Sequence, residues 1–288
     1  MAESKEELKN FFGTDFADQR IVVGEGDMLS LGKHTLKFIM APMVHWPEVM
    51  MTYDVLNKIL FSADAFGKFG ALDVEEEWTS EARRYYFGII GKFGAQVQNV
   101  LKKLEAYDIE MICSLHGPVL KENISYYMNL YRVWSSYEAE EEGVLIAYTS
   151  IYGNTKKAVM ELVQKLYAKG CTNIVVQDLA RCDMSKAVEY AFRFDKIVLA
   201  ATTYNGDVFP FMIEFIHHLI ERKFSNRKVA VIENGSWAPV AAKIMKRLLE
   251  KCTNLHFFDT TVSIRSAMTK VNSQEIEQLA EEICDCLN

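Results

Sequence analysis

From Gly143 onward the chain alternates short apolar runs with amphipathic stretches of helical period, joined by a few polar residues. The apolar runs Val144–Tyr148, Asn173–Gln177, Lys196–Ala201, Lys228–Ile232 and Leu255–Val262 are too short for helices and predict strands. Helical patterns follow them over 155–169, 184–193, 210–223, 239–252 and 273–287. In the first of these, Ala158, Val159, Leu162, Val163 and Leu166 share one face, and Gly170 closes the helix. Five strand–helix units in succession predict a parallel sheet covered by helices on both faces. Their size suits the doubly wound strand order 2-1-3-4-5, whose ligands bind beyond the carboxyl ends of the strands where the order reverses.

The first half is patterned differently. Residues 4–13 predict a short helix, and strand-type runs follow at Arg20–Val23, Met28–Leu31, Thr35–Met40, Val49–Tyr53, Ile59–Phe61 and Ile109–Cys113. Gly32-Lys33 predicts a hairpin turn. A long helical region spans Ser80 to Tyr107 with a break at Gly88–Gly94, and another helix spans Ile124 to Trp134. The stretch Ser135–Gly143 carries Glu138, Glu140, Glu141 and Glu142 with few apolar residues, and predicts a boundary. The expected organisation is a first domain over 1–137, an acidic linker over 138–142 and a second domain over 143–288.

Composition narrows the function classes. A net charge of -7 argues against a nucleic-acid partner, which would favour a basic face. No run of 18 apolar residues occurs and the N-terminal MAESKEELKNFFG has no apolar core, so neither a membrane span nor a signal peptide is expected. The six cysteines (113, 171, 182, 252, 284 and 286) follow no framework spacing and read as reduced thiols of a cytoplasmic protein. Cys284 and Cys286 read as packing on the last helix, and His217 and His218, adjacent on the third unit's helix, point in different directions and read as surface or packing residues, not a metal pair.

Between the first strand of the second domain and its helix lies TSIYGNT, Thr149 to Thr155. A tight polar loop entering a helix aims backbone N–H groups at one spot, where the helix dipole adds partial positive charge. Thr149, Ser150, Asn154 and Thr155 offer further donors, Gly153 lets the backbone approach an anion, and Ile151 and Tyr152 complete the loop. This is a phosphate cradle without the lysine of a Walker loop or the G-x-G-x-x-G of a dinucleotide fold. It resembles the FMN-phosphate loop of the flavodoxin family. After the third strand comes Thr202-Thr203-Tyr204-Asn205-Gly206, and after the fourth Gly235-Ser236-Trp237. Both loops join an aromatic to small polar residues, as a flat ring with polar edges requires. Tyr204 and Trp237 are the expected walls, and the N–H groups around Asn205, Gly206 and Ser236 the expected edge contacts.

In the first domain His45, Asp64 and His116 each follow an apolar strand beside Gly or Pro, in APMVHWPEVMMTY, LFSADAFG and SLHGPV. Rigid strand ends are suitable mounts for metal ligands, and His and Asp suit iron or zinc. Singly, such residues are more often hydrogen-bonded loop or cap residues. Together these segments resemble, in order and spacing, the flavodiiron proteins, and the resemblance continues through the flavodoxin-like half. It implies the C-terminal part of an αββα metallo-β-lactamase-like sandwich followed by a flavodoxin-like five-stranded sheet, an α/β fold throughout. It also implies FMN passing electrons to a diiron site that reduces dioxygen to water or nitric oxide to nitrous oxide. His45 and His116 would each ligate one iron and Asp64 would bridge them, the cofactors carrying the catalysis. Rubredoxin or a similar donor and a head-to-tail homodimer are implied as partners.

The chain departs from the family at one place. The family's H-x-E-x-D-H run, which supplies four more ligands, is absent, since the histidines stand at 34, 45, 116, 217, 218 and 256. Three ligands are too few for two irons, so an N-terminally truncated form with an incomplete diiron site is expected. Two other readings stay open: an FMN-only electron-transfer module with a non-catalytic first domain, and a structural, dimerising role for that domain.

Overall fold

Period-two burial sets the first sheet. In this computed structural model, which describes residues 2–71 and 73–285, α1 (Ala2–Phe12) precedes β1 (Met28–Ser30), β2 (Thr35–Met40), β3 (Met50–Asp54), β4 (Ile59–Phe61) and, later, β5 (Met111–Cys113). The strands lie in the order β1-β2-β3-β4-β5, antiparallel except that β4 and β5 run parallel. Ile39 pairs with Met51, and Tyr53, Leu60 and Ile112 stand in one row, so one face of the sheet is apolar and buried. Between β4 and β5 lie α2 (Trp78–Tyr85) and α3 (Gly94–Leu104), and α4 (Ile124–Ser135) follows β5. The helix expected to break at Gly88–Gly94 does so through a π turn at Tyr86–Ile90 and a 3₁₀ turn at Gly91–Phe93. Large rings shape that region: Trp134 lies 5.4 Å from Tyr86 and 5.4 Å from Tyr131, centre to centre. Arg20–Val23, expected as a strand, is irregular, with Ile21 and Val22 exposed. Among the described residues its apolar run acquires no partner strand, and alternation alone does not hold so short a segment extended.

The second sheet is built as the apolar runs require. Its strands are β6 (Glu141–Tyr148), β7 (Ile174–Asp178), β8 (Phe194–Tyr204), the short β9 (Asp207–Val208), β10 (Ser225–Asn234) and β11 (Thr253–Ile264). The order is β11-β10-β8-β6-β7, all parallel, with β9 returning antiparallel to β8. Numbered along the chain without β9, this is the expected 2-1-3-4-5. The helices are α5 (Asn154–Ala168), α6 (Met184–Arg193), α7 (Pro210–Glu221), α8 (Ala241–Leu249) and α9 (Lys270–Asp285). On one face Ala158 and Leu162 of α5 and Ile276 and Leu279 of α9 bury Ile146, Val198 and Ile232. Alternate strand residues such as Leu145, Leu199 and Val231 are equally buried on the other face. Asp183 caps α6, accepting from the Ser185 N–H at 2.8 Å. The helix expected over 273–287 begins at Lys270, and its last expected residues, with Cys286, lie outside the described residues. Cys284 is buried on that helix.

The chain divides into two compact units, Met1–Ser136 and Tyr137–Asn288. In the stretch 138–142, expected as a solvated linker, Glu138, Glu141 and Glu142 are exposed while the backbone is tied into the second unit. Glu141 and Glu142 belong to β6, and Glu141 pairs with Arg193. The buried guanidinium of Arg227 donates to the carbonyls of Tyr137 at 2.7 Å, Glu138 at 3.2 Å and Phe192 at 2.7 Å. An arginine without a carboxylate partner needs such carbonyls, and meeting that need ties the stretch down. Burial also lowers the Arg227 pKa to about 10. Among the described residues no helix is long and apolar enough to cross a membrane.

Candidate functional site

The loop after β6 begins with the sheet still paired, since the Thr149 N–H donates to the Ala200 carbonyl at 2.9 Å. Gly153 ends the loop at φ +84° as the N-cap of α5, a left-handed conformation that explains glycine there; nothing lies within 4 Å of the Cβ it lacks. Ser150 Oγ accepts from the Lys156 N–H at 3.2 Å, drawing the loop over the helix end. The first N–H groups of α5 have no partner within the helix. Two hydroxyls in this region, Thr149 Oγ1 and Thr202 Oγ1, are buried without a hydrogen-bond partner.

The loops after β8 and β10 are tied to each other. Thr203 Oγ1 accepts from the N–H groups of Val240 at 2.9 Å and Ala241 at 3.2 Å, so a residue of β8 caps α8. Gly235 sits under Pro239: a Cβ there would lie 2.9 Å from the proline Cα. Trp237, two residues on, is 86% exposed, which excludes a core role. Tyr204 is partly exposed and packs edge-on against Phe209, 5.5 Å between ring centres. Asn205 and Gly206 form the tip of the β8–β9 hairpin with positive φ.

A cavity of about 140 Å³ gathers most of the expected residues. Ser150, Ile151, Tyr152, Asn154 and Thr155 line it from the first loop, and Thr202, Thr203, Gly235 and Ser236 from the other two. Gly153, Tyr204, Asn205, Gly206 and Trp237 do not line it, and Thr149 is wholly buried. Asn234 and Ser266 also line the cavity and were not expected. Asn234 could have been found as the last residue of its strand. Ser266 carries no sequence signal, because the loop after the edge strand lies outside the switch point. A larger groove of about 800 Å³, lined by Lys156, Met160, Lys165 and Ser273 among others, runs along the flank of α5. Apart from Gly153 its lining comes from the flank of α5 and Ser273, with no residue from the loops after β8 and β10 where this topology seats a ligand.

In the first unit His45, Asp64 and His116 meet. His45 Nε2 lies 3.3 Å from Asp64 Oδ2, and His116 Nε2 lies 3.2 Å from Asp64 Oδ1. The loop carrying Asp64 is fixed by the Ser62 hydroxyl donating to the Ala65 carbonyl at 2.6 Å and by the Leu115 N–H donating to Ala63 at 2.8 Å. The Phe66 N–H donates to the Tyr131 hydroxyl at 2.6 Å. Gly67 is glycine because a Cβ would lie 3.0 Å from the His116 carbonyl and 3.1 Å from the Tyr85 ring. Tyr85, not singled out by the sequence, buries a hydroxyl without a partner beside this group. Burial first, and the Asp64 charge second, raise its pKa.

These residues can be tested against the groups the fold implies. FMN fits: two orphaned hydroxyls and a helix N-terminus suit a phosphate, and the cavity is below the ~300–1,000 Å³ of enclosed ligand sites, so a tricyclic ring would lie in the open beside exposed aromatics. Iron fits in kind and not in number. One histidine on each carboxylate oxygen is the pattern of a bridging carboxylate, yet it gives two protein donors per ion. Among the described residues no group of three or more His, Cys, Asp or Glu side chains is arranged to hold one metal ion.

Residues 1–117 match the family model described as ODP family beta lactamase, and residues 145–272 match the flavodoxin domain. An uncharacterized protein of Methanocaldococcus jannaschii is 25% identical, over 98% of this chain and 73% of the relative. The anaerobic nitric oxide reductase flavorubredoxin of Escherichia coli is 26% identical over 75% of this chain, and the match spans 47% of the relative's length. The fold is that of rubredoxin oxygen:oxidoreductase from Desulfovibrio gigas, with a TM-score of 0.88, 20% identity and coverage of 99% of this chain and 73% of the other. It is equally that of the flavodiiron protein from Giardia intestinalis, with a TM-score of 0.87, 22% identity and coverage of 98% and 72%.

Proposed function

We propose that this chain, which belongs to the flavodiiron proteins, holds FMN at the carboxyl ends of β6, β8 and β10 and acts as an electron-transferring flavoprotein. The observation that carries the reading is the pair of buried hydroxyls without a partner among the described residues, Thr149 Oγ1 on the residue that opens the β6 loop and Thr202 Oγ1 on a residue that lines the cavity. A buried hydroxyl without an acceptor costs about 1–3 kcal/mol, and a phosphate oxygen would relieve it. The N–H groups of 151–155 would hold the same phosphate. Trp237 and Tyr204 would wall the ring, and the N–H groups near Gly235, Ser236, Asn205 and Gly206 would meet its polar edge. FMN, when bound, supplies electron transfer in steps of one or two electrons.

FMN and iron are the cofactors of the family. For iron, His45, Asp64 and His116 are the residues that would hold it, and the metal would supply electron transfer to a bound small molecule. With two protein donors per ion, no step is derived through iron. Dioxygen or nitric oxide as substrate, a rubredoxin-type donor, a head-to-tail homodimer and a cytoplasmic location are proposals supported by the family. The shortfall of donors favours a second reading, in which the second unit transfers electrons and the first is non-catalytic.

The test is to reduce the FMN-loaded chain without oxygen, mix it with oxygenated buffer and measure peroxide per oxygen consumed. With His45, Asp64 and His116 as the only matched ligands, peroxide should accumulate close to one per oxygen. Rapid oxygen loss without peroxide would restore a complete oxygen-reducing site.

A further inference from the structure

The loop after β11 lies outside the switch point, yet it reaches the cofactor cavity, and the reason is one side chain. The parallel β10–β11 ladder ends where Asn234 pairs with Ile264, and the Gly235 N–H still donates to the Ile264 carbonyl at 3.0 Å. Beyond that point the Asn234 carboxamide continues the pairing. Its Nδ2 donates to the Ser266 carbonyl at 3.0 Å, and its Oδ1 accepts from the Ser266 N–H at 3.1 Å. Ser266 presents both backbone groups to one amide because it adopts φ +64°. Its hydroxyl lies 3.3 Å from that of Ser236 and donates to it, next to Trp237. Asn234 is 4% exposed, so this amide is held away from solvent.

We infer that the Asn234–Ser266 clasp is a positioning device that sets the Gly235–Trp237 loop for the flavin ring, with Ser266 as a fourth-loop residue of the cofactor site. The inference rests on the FMN reading above and deepens it. Asn234 shares the cavity with the phosphate cradle of the β6 loop and α5, but its side-chain hydrogen bonds go to Ser266. The clasp therefore acts on the ring end of the ligand and leaves the phosphate end alone. The gap at Gly235 has no room for a side chain, so the loop depends on its anchors at Ser266 and Thr203 for its place.

The experiment is a titration of flavin-free chain with FMN and with riboflavin, which lacks the phosphate, followed by quenching of flavin fluorescence. Asn234→Ala should weaken both ligands by the same factor, about tenfold for a lost pair of hydrogen bonds. Ser266→Ala, which keeps the backbone clasp and removes the link to Ser236, should weaken both by a smaller equal factor. Thr155→Val, in the cradle, should weaken FMN and leave riboflavin unchanged. If Asn234→Ala does not fold, Asn234→Asp keeps the acceptor and loses the donor, and Ser266→Ala carries the test with it. Loss confined to FMN, or unchanged binding of both ligands by Ser266→Ala and a folded Asn234 variant, would overturn the inference. Failure of the unsubstituted chain to bind FMN would instead remove the reading on which it rests.

Discussion

Replacing Thr149 by valine should move two properties in opposite directions. The side chain is fully buried and its hydroxyl has no partner, while its backbone N–H remains paired with Ala200. Valine has nearly the same shape, so the exchange removes an unsatisfied polar atom without opening a cavity. In the flavin-free protein the gain is about 2 kcal/mol, within the range for an orphaned buried hydroxyl. For a unit of this size that raises the melting temperature by about 4–8 °C. With FMN present the same hydroxyl would donate to a phosphate oxygen, a charge-assisted bond of about 1.5–3 kcal/mol. Affinity should therefore fall by about 10- to 100-fold. Calorimetric melting of the flavin-free chain and isothermal titration with FMN measure the two changes. A variant that melts lower and binds FMN as before would refute the reasoning, since it would mean that the hydroxyl has a protein partner and no role toward phosphate.

Trp237→Ala should weaken FMN by about 1–3 kcal/mol through lost ring contact while leaving the melting of the flavin-free chain unchanged, because the side chain is 86% exposed. Elemental analysis should find fewer than two irons per chain; two irons, lost on His116→Ala, would show that further residues complete the ligand set. Lys165 first and Lys169 second hold the Glu277 carboxyl down to about 2 from 4.5. A carboxylate depressed in the folded state contributes stability that is fully present above about 4.5 and is lost as pH falls toward about 2. Glu277→Gln should therefore flatten the stability profile across that window, and an unchanged acid limb in the variant would sink the assignment.

The second sheet was legible because its central strands β6, β8 and β10 are buried on both faces and each strand unit is followed by a helix, which leaves little choice of topology. The Thr149–Thr155 loop was legible for the same reason: the order of strands names the loops that matter. What the sequence hid was the division of labour among the residues. Thr203 lines the cavity and its oxygen also caps α8; Asn205 and Gly206 make a hairpin tip and do not line it. Ser266 enters only through the amide of Asn234, a contact between residues 32 apart that no local pattern encodes. In the first unit the meeting of His45, Asp64 and His116 followed from family spacing, since three short loops on separate strands carry no periodic signal linking them. Arg20–Val23 failed as a strand because pairing, not alternation, holds a strand in place.

The most direct measurement of the central claim is the identity and stoichiometry of the flavin. The chain should be incubated with FMN and FAD together, freed of unbound ligand, denatured, and its flavin separated by chromatography. One FMN per chain, with FAD excluded because the β6 loop provides a single phosphate cradle and no adenosine site, is the expected result. Recovery of FAD, or of no flavin at all, would contradict it.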